Sequence, residues 1–170
     1  MLSLQEAYAV GPHCIRTWTG QLLDLSNPHF SDIRIEDIAR GLSYKFRFGG
    51  HSASTLTVAE HSINASKIVP EDHALAALLH DASEAYIGDI PSPIKSLMPD
   101  YREIEHKLTL AIFKRFDVPY PLHESVKKAD QQLLQAEWEY VVHKGNVDTM
   151  IPAVAHMRFL NRFTQLTGQE

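Results

Sequence analysis

Apolar residues recur every three or four positions over most of the chain, which is the spacing of one face of an α-helix. The pattern predicts helices over residues 35–42, 58–69, 72–86, 104–116, 122–144 and 151–166. Asp72 is expected to cap the third of them. Residues that stop helices follow five of these stretches, namely Pro70, Gly88, Pro119, Gly145 and Gly168. The chain is therefore predicted to form a bundle of amphipathic helices around a shared core.

One stretch near the N-terminus departs from this spacing. Residues 15–28 read IRTWTGQLLDLSNP, with β-branched and aromatic residues on both sides of Thr19-Gly20 and a stop at Asn27-Pro28. Such a stretch is typical of a small β-hairpin. The predicted fold class is all-α: a helical bundle with a short N-terminal β-hairpin and a glycine-containing loop over residues 47–56.

Composition and charge narrow the function classes. The 170 residues, 44% of them hydrophobic, suffice for one core, so residues 1–170 are predicted to form a single domain. A formal charge of -5 provides no broad basic surface, so neither a nucleic-acid polymer nor a membrane is an expected partner. Cys14 is the single cysteine, which excludes an internal disulfide and fits a reducing compartment.

The distribution of apolar residues also bears on location. No apolar run approaches the ~18 residues of a membrane span. The N-terminus has no basic residue ahead of its short apolar patch, unlike a signal peptide. We therefore expect a cytoplasmic protein, with a homodimer as the default assembly because symmetric pairs are the commonest one.

Three polar side chains directly follow one of the most apolar runs of the chain. Residues 73–79 read HALAALL, and His80, Asp81 and Glu84 come next. A helix with almost no polar face is expected at the centre of the bundle. These groups therefore face a desolvation cost that a partner, a metal ion or a shifted pKa must offset. Glu84, four residues after His80, shares its helical face. Hydrogen bonds from these side chains to neighbouring residues would by themselves be enough to offset this cost.

Two more polar side chains lie on apolar helical faces. His61 has apolar residues at i+4 and i+7, and Asp130 has them at i−4 and i+4. Taken alone, each is more often a core side chain whose polar atoms are hydrogen-bonded to neighbouring residues. Together with His80 and Asp81 they form four groups on three predicted helices, which a single divalent ion can satisfy. Two imidazoles and two carboxylates suit a transition metal such as Mn²⁺, Fe²⁺, Co²⁺, Ni²⁺ or Zn²⁺ and leave positions open for water and substrate.

The order of these residues, H…HD…D, resembles the signature of the HD-domain metal-dependent phosphohydrolases, an all-α superfamily. A longer match over about residues 46–134 contains VAEHS, HDASEAYIGDIPSPIK and KKAD, and is similar to the branch of the bacterial 5'-deoxynucleotidases. Residues 35–51 look more like a set of small, uncharacterised members. The resemblance implies an HD-domain-like helical bundle and makes His61, His80, Asp81 and Asp130 the ligands of one metal ion.

The same resemblance implies roles for residues around the ligands. Glu84 becomes the carboxylate that positions or deprotonates the attacking water, and Asp81 is counted with it as catalytic. Arg47 falls where the deoxynucleotidases hold the arginine that orients the phosphate, with Phe48 in place of their tryptophan. Asp89 and the residues after it match the turn that contacts the nucleotide sugar. The predicted substrate contacts are therefore Arg47, Phe48, Asp89, Ile90, Pro91 and Ser92.

Several of these residues have a simpler interpretation. Arg47 would equally be a solvated surface cation, and Asp89 a turn or cap residue for the segment PSPIK. Lys95 is a second candidate to offset phosphate charge, and His51 is a candidate acid or extra ligand. Both are explained equally well as surface polar groups.

The predicted function is that of a metal-dependent phosphohydrolase that removes phosphate from a small phosphorylated substrate, above all a nucleoside or deoxynucleoside 5'-monophosphate. One ion is expected, because the chain lacks the HDxxK motif of some two-metal HD enzymes. Two alternatives stay open. One is a phosphodiesterase or pyrophosphohydrolase of cyclic or signalling nucleotides, whose segment would more typically read HDxxED than HDASEA. The other is a non-catalytic metal-binding regulatory module.

Overall fold

A computed structural model describes residues 11–139 and 148–169 of the chain. A hairpin of β1 (Cys14–Arg16) and β2 (Leu22–Asp24) precedes the helices. The α-helices that follow are α1 (Ile35–Ser43), α2 (Val58–Ile68), α3 (Ala74–Leu79), α4 (Glu84–Ile87), α5 (Ser92–Lys95), α6 (Pro99–Arg115), α7 (Glu124–Glu137) and α8 (Pro152–Thr167). Short 3₁₀ turns lie at Phe30–Asp32, Arg47–Gly50 and Glu71–His73. The predicted fold class, all-α with an N-terminal hairpin, is confirmed.

The hairpin is tied to the first helix. Its strands are antiparallel, and Leu23 of β2 is fully buried in the core. In the connecting turn, Thr19 donates from its backbone N–H and from its hydroxyl to the two carboxylate oxygens of Asp37 in α1, each at 2.7 Å. These bonds satisfy a carboxylate that is almost completely buried, so the hairpin docks on the bundle rather than extending from it.

Helix α2 lies at the centre of the bundle and packs against α1, α3, α7 and α8. It begins after Thr57, whose hydroxyl accepts a hydrogen bond from the Glu60 N–H at 3.1 Å and so caps the helix. Its apolar residues, such as Ile63, meet the aromatic side chains that α8 contributes, such as Phe159. Because helices surround α2, His61 has no exposed surface.

The single helix predicted over residues 72–86 is wrong. Helix α3 ends at Leu79 and α4 begins only at Glu84. Around the break, the N–H groups of residues 82, 84, 85 and 86 donate to carbonyls three residues earlier, which is 3₁₀-type bonding. The His80 ring contributes to the break. Its Nδ1–H donates at 2.7 Å to the carbonyl oxygen of Ala77, which residue 81 would use in a continuous α-helix.

The other predicted helix ends that fall in the described residues agree within two positions, except that α6 begins at Pro99 rather than at residue 104. Asp72 caps no helix, because it lies inside the 3₁₀ turn that precedes α3. The helix predicted over 122–144 is confirmed as α7 up to Glu137, and the remainder of that prediction lies largely outside the described residues. Gly168 ends α8 in a left-handed conformation with φ 68°, as a glycine stop requires. No described helix is both long and apolar enough to cross a membrane.

Helices α1 and α4 approach each other closely at Gly41. A Cβ atom at this position would lie 2.8 Å from both Cα and Cβ of Ala85, so a larger residue would force the helices apart. Lys45, just beyond the end of α1, donates from Nζ to the Ala85 carbonyl oxygen at 3.0 Å. These contacts fix α4, and with it Glu84, against the bundle.

Candidate metal and substrate site

The four predicted metal ligands converge, and we call them the histidine–aspartate cluster. His61 comes from α2, His80 and Asp81 from the turn after α3, and Asp130 from α7. The Nε2 atom of His61 lies 3.1 Å from Asp130 Oδ1 and 3.9 Å from Asp81 Oδ2. The Nε2 atom of His80 lies 3.2 Å from Asp81 Oδ2 and 3.8 Å from Asp130 Oδ1. Ligand atoms of His61, His80 and Asp130 all lie within 4.8 Å of one another.

Both imidazole rings are oriented by hydrogen bonds on their far sides. His61 Nδ1 donates to Glu137 Oε1 at 2.8 Å, and His80 Nδ1 donates to the carbonyl oxygen of Ala77 at 2.7 Å. Such bonds fix the tautomer, because the outer nitrogen keeps its proton and Nε2 is left to face the cluster. A metal-binding histidine is typically held in this way.

The donor set of the cluster fits a divalent ion. His80 Nε2 is buried and has no partner with hydrogen-bond geometry among the described residues, although Asp81 lies nearby. Two imidazole nitrogens facing two carboxylates need a cation between them, either a proton or a metal ion. Imidazole and carboxylate ligands together suit Zn²⁺, Mn²⁺, Fe²⁺, Co²⁺ or Ni²⁺, so the cluster is a possible His-His-Asp metal site with a further carboxylate beside it.

The electrostatics of the cluster also favour a cation. Burial by itself lowers the pKa of His80, but the carboxylates of Asp81 and Asp130 outweigh burial and hold that pKa well above 6.5. The hydrogen bond from His61 lowers the pKa of Asp130, and the nearby imidazole of His80 lowers it further. Burial raises the pKa of Asp81, but the charges of His80, His61 and Arg47 together outweigh burial and lower it. The carboxylates therefore stay ionised and attract positive charge to the two Nε2 atoms.

Arg47 lies behind the cluster and is buried, so the surface-cation interpretation is wrong. Only 8% of its surface is exposed. Its Nε atom lies 2.7 Å from Glu137 Oε2, and its Nη1 atom lies 3.8 Å from Asp81 Oδ2. Glu137 therefore holds His61 with one oxygen and contacts Arg47 with the other.

Glu137 was missed by the sequence reasoning. It lies seven residues after Asp130, which is two helical turns, so both side chains project from the same side of α7. That spacing is the one signal in the sequence that could have found it. The spacing does not show which residue Glu137 contacts, because His61 is 76 positions away in the chain.

Glu84 lies at a second wall of the site, within a group we call the Glu84 network. Lys95 Nζ donates to Glu84 Oε1 at 3.2 Å and to Glu105 Oε1 at 2.7 Å. The other oxygen of Glu84 is buried without a hydrogen-bond partner in the described chain. Burial, reinforced by the charges of Asp81 and Asp89, raises the pKa of Glu84 to about 9. Lys95 is thus placed at the site, paired with carboxylates.

A cavity of about 680 Å³ opens over the cluster and the Glu84 network. His51 is exposed and is not part of its lining. Asp89 does line it, next to Gly88, whose carbonyl oxygen accepts a hydrogen bond from the Tyr101 hydroxyl at 2.9 Å. Burial raises the pKa of Asp89. All six predicted substrate contacts line this cavity: Arg47, Phe48, Asp89, Ile90, Pro91 and Ser92.

A helical bundle with two histidines and two aspartates converging in this order is the arrangement expected of an HD-type phosphohydrolase. The profile of one protein family, described as 5'-deoxynucleotidase YfbR-like, matches residues 49–167. The chain belongs to this family, which points to a hydrolase and confirms the resemblance found in the sequence. The match continues through α8, well beyond residue 134 where the resemblance was placed, and it begins just after Arg47 and Phe48.

Of three similar proteins, two are uncharacterized and one carries a name that fits this assignment. The chain is 34% identical to the uncharacterized protein YfdR of Escherichia coli over 169 residues, 90% of this chain and 95% of the relative. It is 36% identical to an uncharacterized protein of Rhodobacter capsulatus over 140 residues, 74% of this chain and 71% of the relative. It is 30% identical to a Vibrio parahaemolyticus protein named 5'-deoxynucleotidase over 111 residues, 49% of this chain and 57% of the relative.

Proposed function

We propose that the protein is a metal-dependent phosphomonoesterase that removes phosphate from nucleoside or deoxynucleoside 5'-monophosphates. The observation that carries the proposal is the convergence of the histidine–aspartate cluster at the base of a cavity that Arg47 and Glu84 also line. Membership of the YfbR-like family and a relative named 5'-deoxynucleotidase support the nucleotide as substrate.

The residues that would hold the ion are His61, His80, Asp81 and Asp130. A divalent ion bound there would make water a stronger nucleophile at neutral pH and polarise a phosphoryl oxygen. The chain contributes rigidity to this site, because Glu137 and the Ala77 carbonyl prevent rotation of the two imidazoles.

Arg47 would orient the phosphate. Glu137 contacts its Nε atom, so the side chain is held on one edge while the terminal N–H groups are directed towards Asp81 and the cavity. A planar guanidinium donates two parallel hydrogen bonds to a phosphate, and a monoester dianion gains more from this charge than a diester with one negative charge. Arg47 therefore favours monoesters.

Glu84 would accept the proton of the attacking water. Without an ion, burial raises the pKa of Glu84 to about 9, so the carboxyl is protonated at neutral pH. A cation held by the cluster would lower this pKa and leave a carboxylate able to accept the proton. Lys95 donates to its other oxygen and is itself held by Glu105, so the orientation of Glu84 is fixed. The sugar would lie against Phe48, Asp89, Ile90, Pro91 and Ser92, which line the same cavity.

A phosphate-release screen of the purified protein tests this proposal. The substrates are nucleoside and deoxynucleoside monophosphates, cyclic nucleotides, nucleotides with a pyrophosphate bond and generic phosphoesters, each with Mn²⁺, Co²⁺, Ni²⁺, Fe²⁺ or Zn²⁺. We expect selective turnover of 5'-monophosphates. Turnover of cyclic or pyrophosphate substrates alone would support the diesterase or pyrophosphohydrolase alternative, and metal binding without any turnover would support the regulatory module. A cytoplasmic location and a homodimer stay predictions.

A further inference from the structure

We propose that one face of α7 binds the nucleobase of the substrate. This base face consists of Gln131, Leu134, Gln135 and Trp138, which line the cavity beyond Asp130. The inference rests on the proposed function and deepens it, because it names the part of the protein that distinguishes a nucleotide from other phosphomonoesters.

The base face is a single helical stripe that starts at the cluster. Its members are spaced i, i+3, i+4 and i+7. The first three lie on α7, and Trp138 directly follows its last residue with helical backbone angles, so all four project from one side. Gln131 directly follows Asp130, and Trp138 stands about 10 Å further along the axis, given a rise of about 1.5 Å per residue. A ligand whose phosphate lies at the cluster can therefore extend its other end along this stripe.

The side chains of the base face match a flat, uncharged, hydrogen-bonding ligand. Leu134 and Trp138 are 43% and 47% exposed, which is high for large apolar groups at a concave site. Trp138 meets Phe48 edge to face, with ring centroids 5.6 Å apart. The amides of Gln131 and Gln135 each offer donors and an acceptor without charge, as the edge of a base requires.

The distribution of charge across the cavity assigns the two ends of the ligand. Its cations, Arg47 and Lys95, lie on the side of Asp81 and Glu84. The base face has no cation, and Glu139, which also lines the cavity, carries a negative charge. A phosphate dianion is thus drawn to Arg47, and the neutral base is left for α7. The volume of about 680 Å³ lies within the range of roughly 300–1,000 Å³ typical of small-molecule sites.

Phe48 adds a second observation to this side of the cavity. It adopts φ 58°, a left-handed conformation that residues other than glycine rarely take. Backbone strain of this kind persists where the surrounding structure requires it, often at a ligand site. Here it accompanies an aromatic ring that lines the cavity in edge-to-face contact with Trp138.

Tryptophan fluorescence tests the inference without turnover. The chain has two tryptophans, and Trp18 lies in the hairpin turn, 61% exposed and outside the cavity lining. A Trp18→Phe protein therefore reports Trp138 alone. In EDTA, we expect deoxynucleoside 5'-monophosphates to quench this emission, and 2-deoxyribose 5-phosphate at the same concentration not to quench it. The wild-type protein compared with Trp138→Phe provides the same reading if Trp18→Phe proves unstable.

Kinetics provide the second readout. Trp138→Ala should raise KM for nucleotides about 5- to 150-fold, which corresponds to loss of one aromatic stack on a base. Turnover of 2-deoxyribose 5-phosphate should be unchanged, and Trp138→Phe should recover most of the nucleotide KM. Trp18→Phe, at an exposed tryptophan, is the matched control and should change the kinetics of neither substrate.

The two proposals fail in different ways. If no phosphomonoester is hydrolysed with any metal, the proposed phosphatase is wrong, while base-dependent quenching in EDTA would still support the base face. If nucleotides are hydrolysed yet leave Trp138 emission unchanged, or if the sugar phosphate quenches equally, the base face is refuted and the phosphatase stands.

Discussion

The histidine–aspartate cluster and the Glu84 network reach the same cavity, through Asp81 and Asp130 and through Glu84 and Lys95. The two groups compensate their buried charges in opposite ways. In the cluster, two imidazoles face two carboxylates, and hydrogen bonds hold both rings so that their Nε2 atoms face inward. In the network, a lysine already lies between two carboxylates, 3.2 Å from Glu84 and 2.7 Å from Glu105. The cluster needs an external cation, whereas the network contains its own.

The difference explains how two carboxylates that line one cavity can have different pKa values. The two imidazoles beside Asp130 lower its pKa, so it stays ionised and suited to hold an ion. Burial dominates at Glu84 and raises its pKa to about 9, so it is suited to hold a proton. Partners and burial, rather than residue type, separate a metal ligand from a proton acceptor.

The largest effect should come from removing a cluster carboxylate. Asp130→Ala leaves the two imidazoles with one carboxylate, so we expect the metal content to fall from about one ion per chain and phosphate release to drop to background. Elemental analysis and a phosphate assay measure the two losses. Glu124→Gln on the same helix, with its side chain 71% exposed, is the matched control and should change neither. Full metal occupancy in Asp130→Ala would contradict the cluster as a metal site.

Glu84→Gln should lower the catalytic rate without changing the metal content. The amide keeps the shape of the side chain but accepts no proton, so kcat should fall by about 10²–10⁴-fold. Metal content should not change, because Glu84 belongs to the network. Steady-state kinetics and elemental analysis on the same preparation decide the point. Loss of the metal ion in this variant would show that Glu84 is itself a metal ligand. An unchanged kcat would refute its role in proton transfer.

Arg47→Ala should weaken the hold on the phosphate. A lost charge-assisted hydrogen bond costs about 1.5–3 kcal/mol, so kcat/KM for monophosphates should fall roughly 10- to 150-fold with the metal content unchanged. Arg47→Lys keeps the charge but loses the planar fork, and should recover part of the loss. Equal activity in wild type and Arg47→Ala would return Arg47 to a structural role.

Glu137→Gln tests the bridge between Arg47 and the cluster. The amide accepts a weaker hydrogen bond from His61 Nδ1 than the carboxylate does, so metal affinity should fall about 10- to 100-fold. Titration with Co²⁺ against a coloured chelator measures the affinity without any substrate. An unchanged affinity would show that Glu137 supports Arg47 and not the ion.

The smallest effect concerns the stability of the metal-free protein. The folded state keeps the Glu84 proton up to about pH 9, while the unfolded chain releases it near pH 4.5, so the free energy of unfolding falls as pH rises between these values. Glu84→Gln removes this dependence. In EDTA, its melting temperature relative to the parent should therefore be higher at pH 8 than at pH 5. A difference that is the same at both pH values would show that the pKa of Glu84 is not raised.

Local patterns were enough to predict most of the elements. The periodicity over 151–166 and the glycine after it correspond to α8 with its left-handed stop, and the residues around Thr19-Gly20 form the hairpin turn. The prediction was wrong where a side chain competes with the backbone. The ring of His80 bonds to the Ala77 carbonyl and divides one predicted helix into α3 and α4, and apolar spacing carries no signal for that bond.

By itself, the sequence determined which groups would need partners, because His61 and Asp130 stand on apolar helical faces, and His80 and Asp81 directly follow an apolar run. Only the tertiary structure decided which partners they have. Glu137 reaches His61 across 76 positions, and Arg47 is buried because the turn Arg47–Gly50 folds its side chain onto that same carboxylate. Such pairings depend on how helices cross, and the crossing is set by contacts such as Gly41 against Ala85 that lie far apart in the chain.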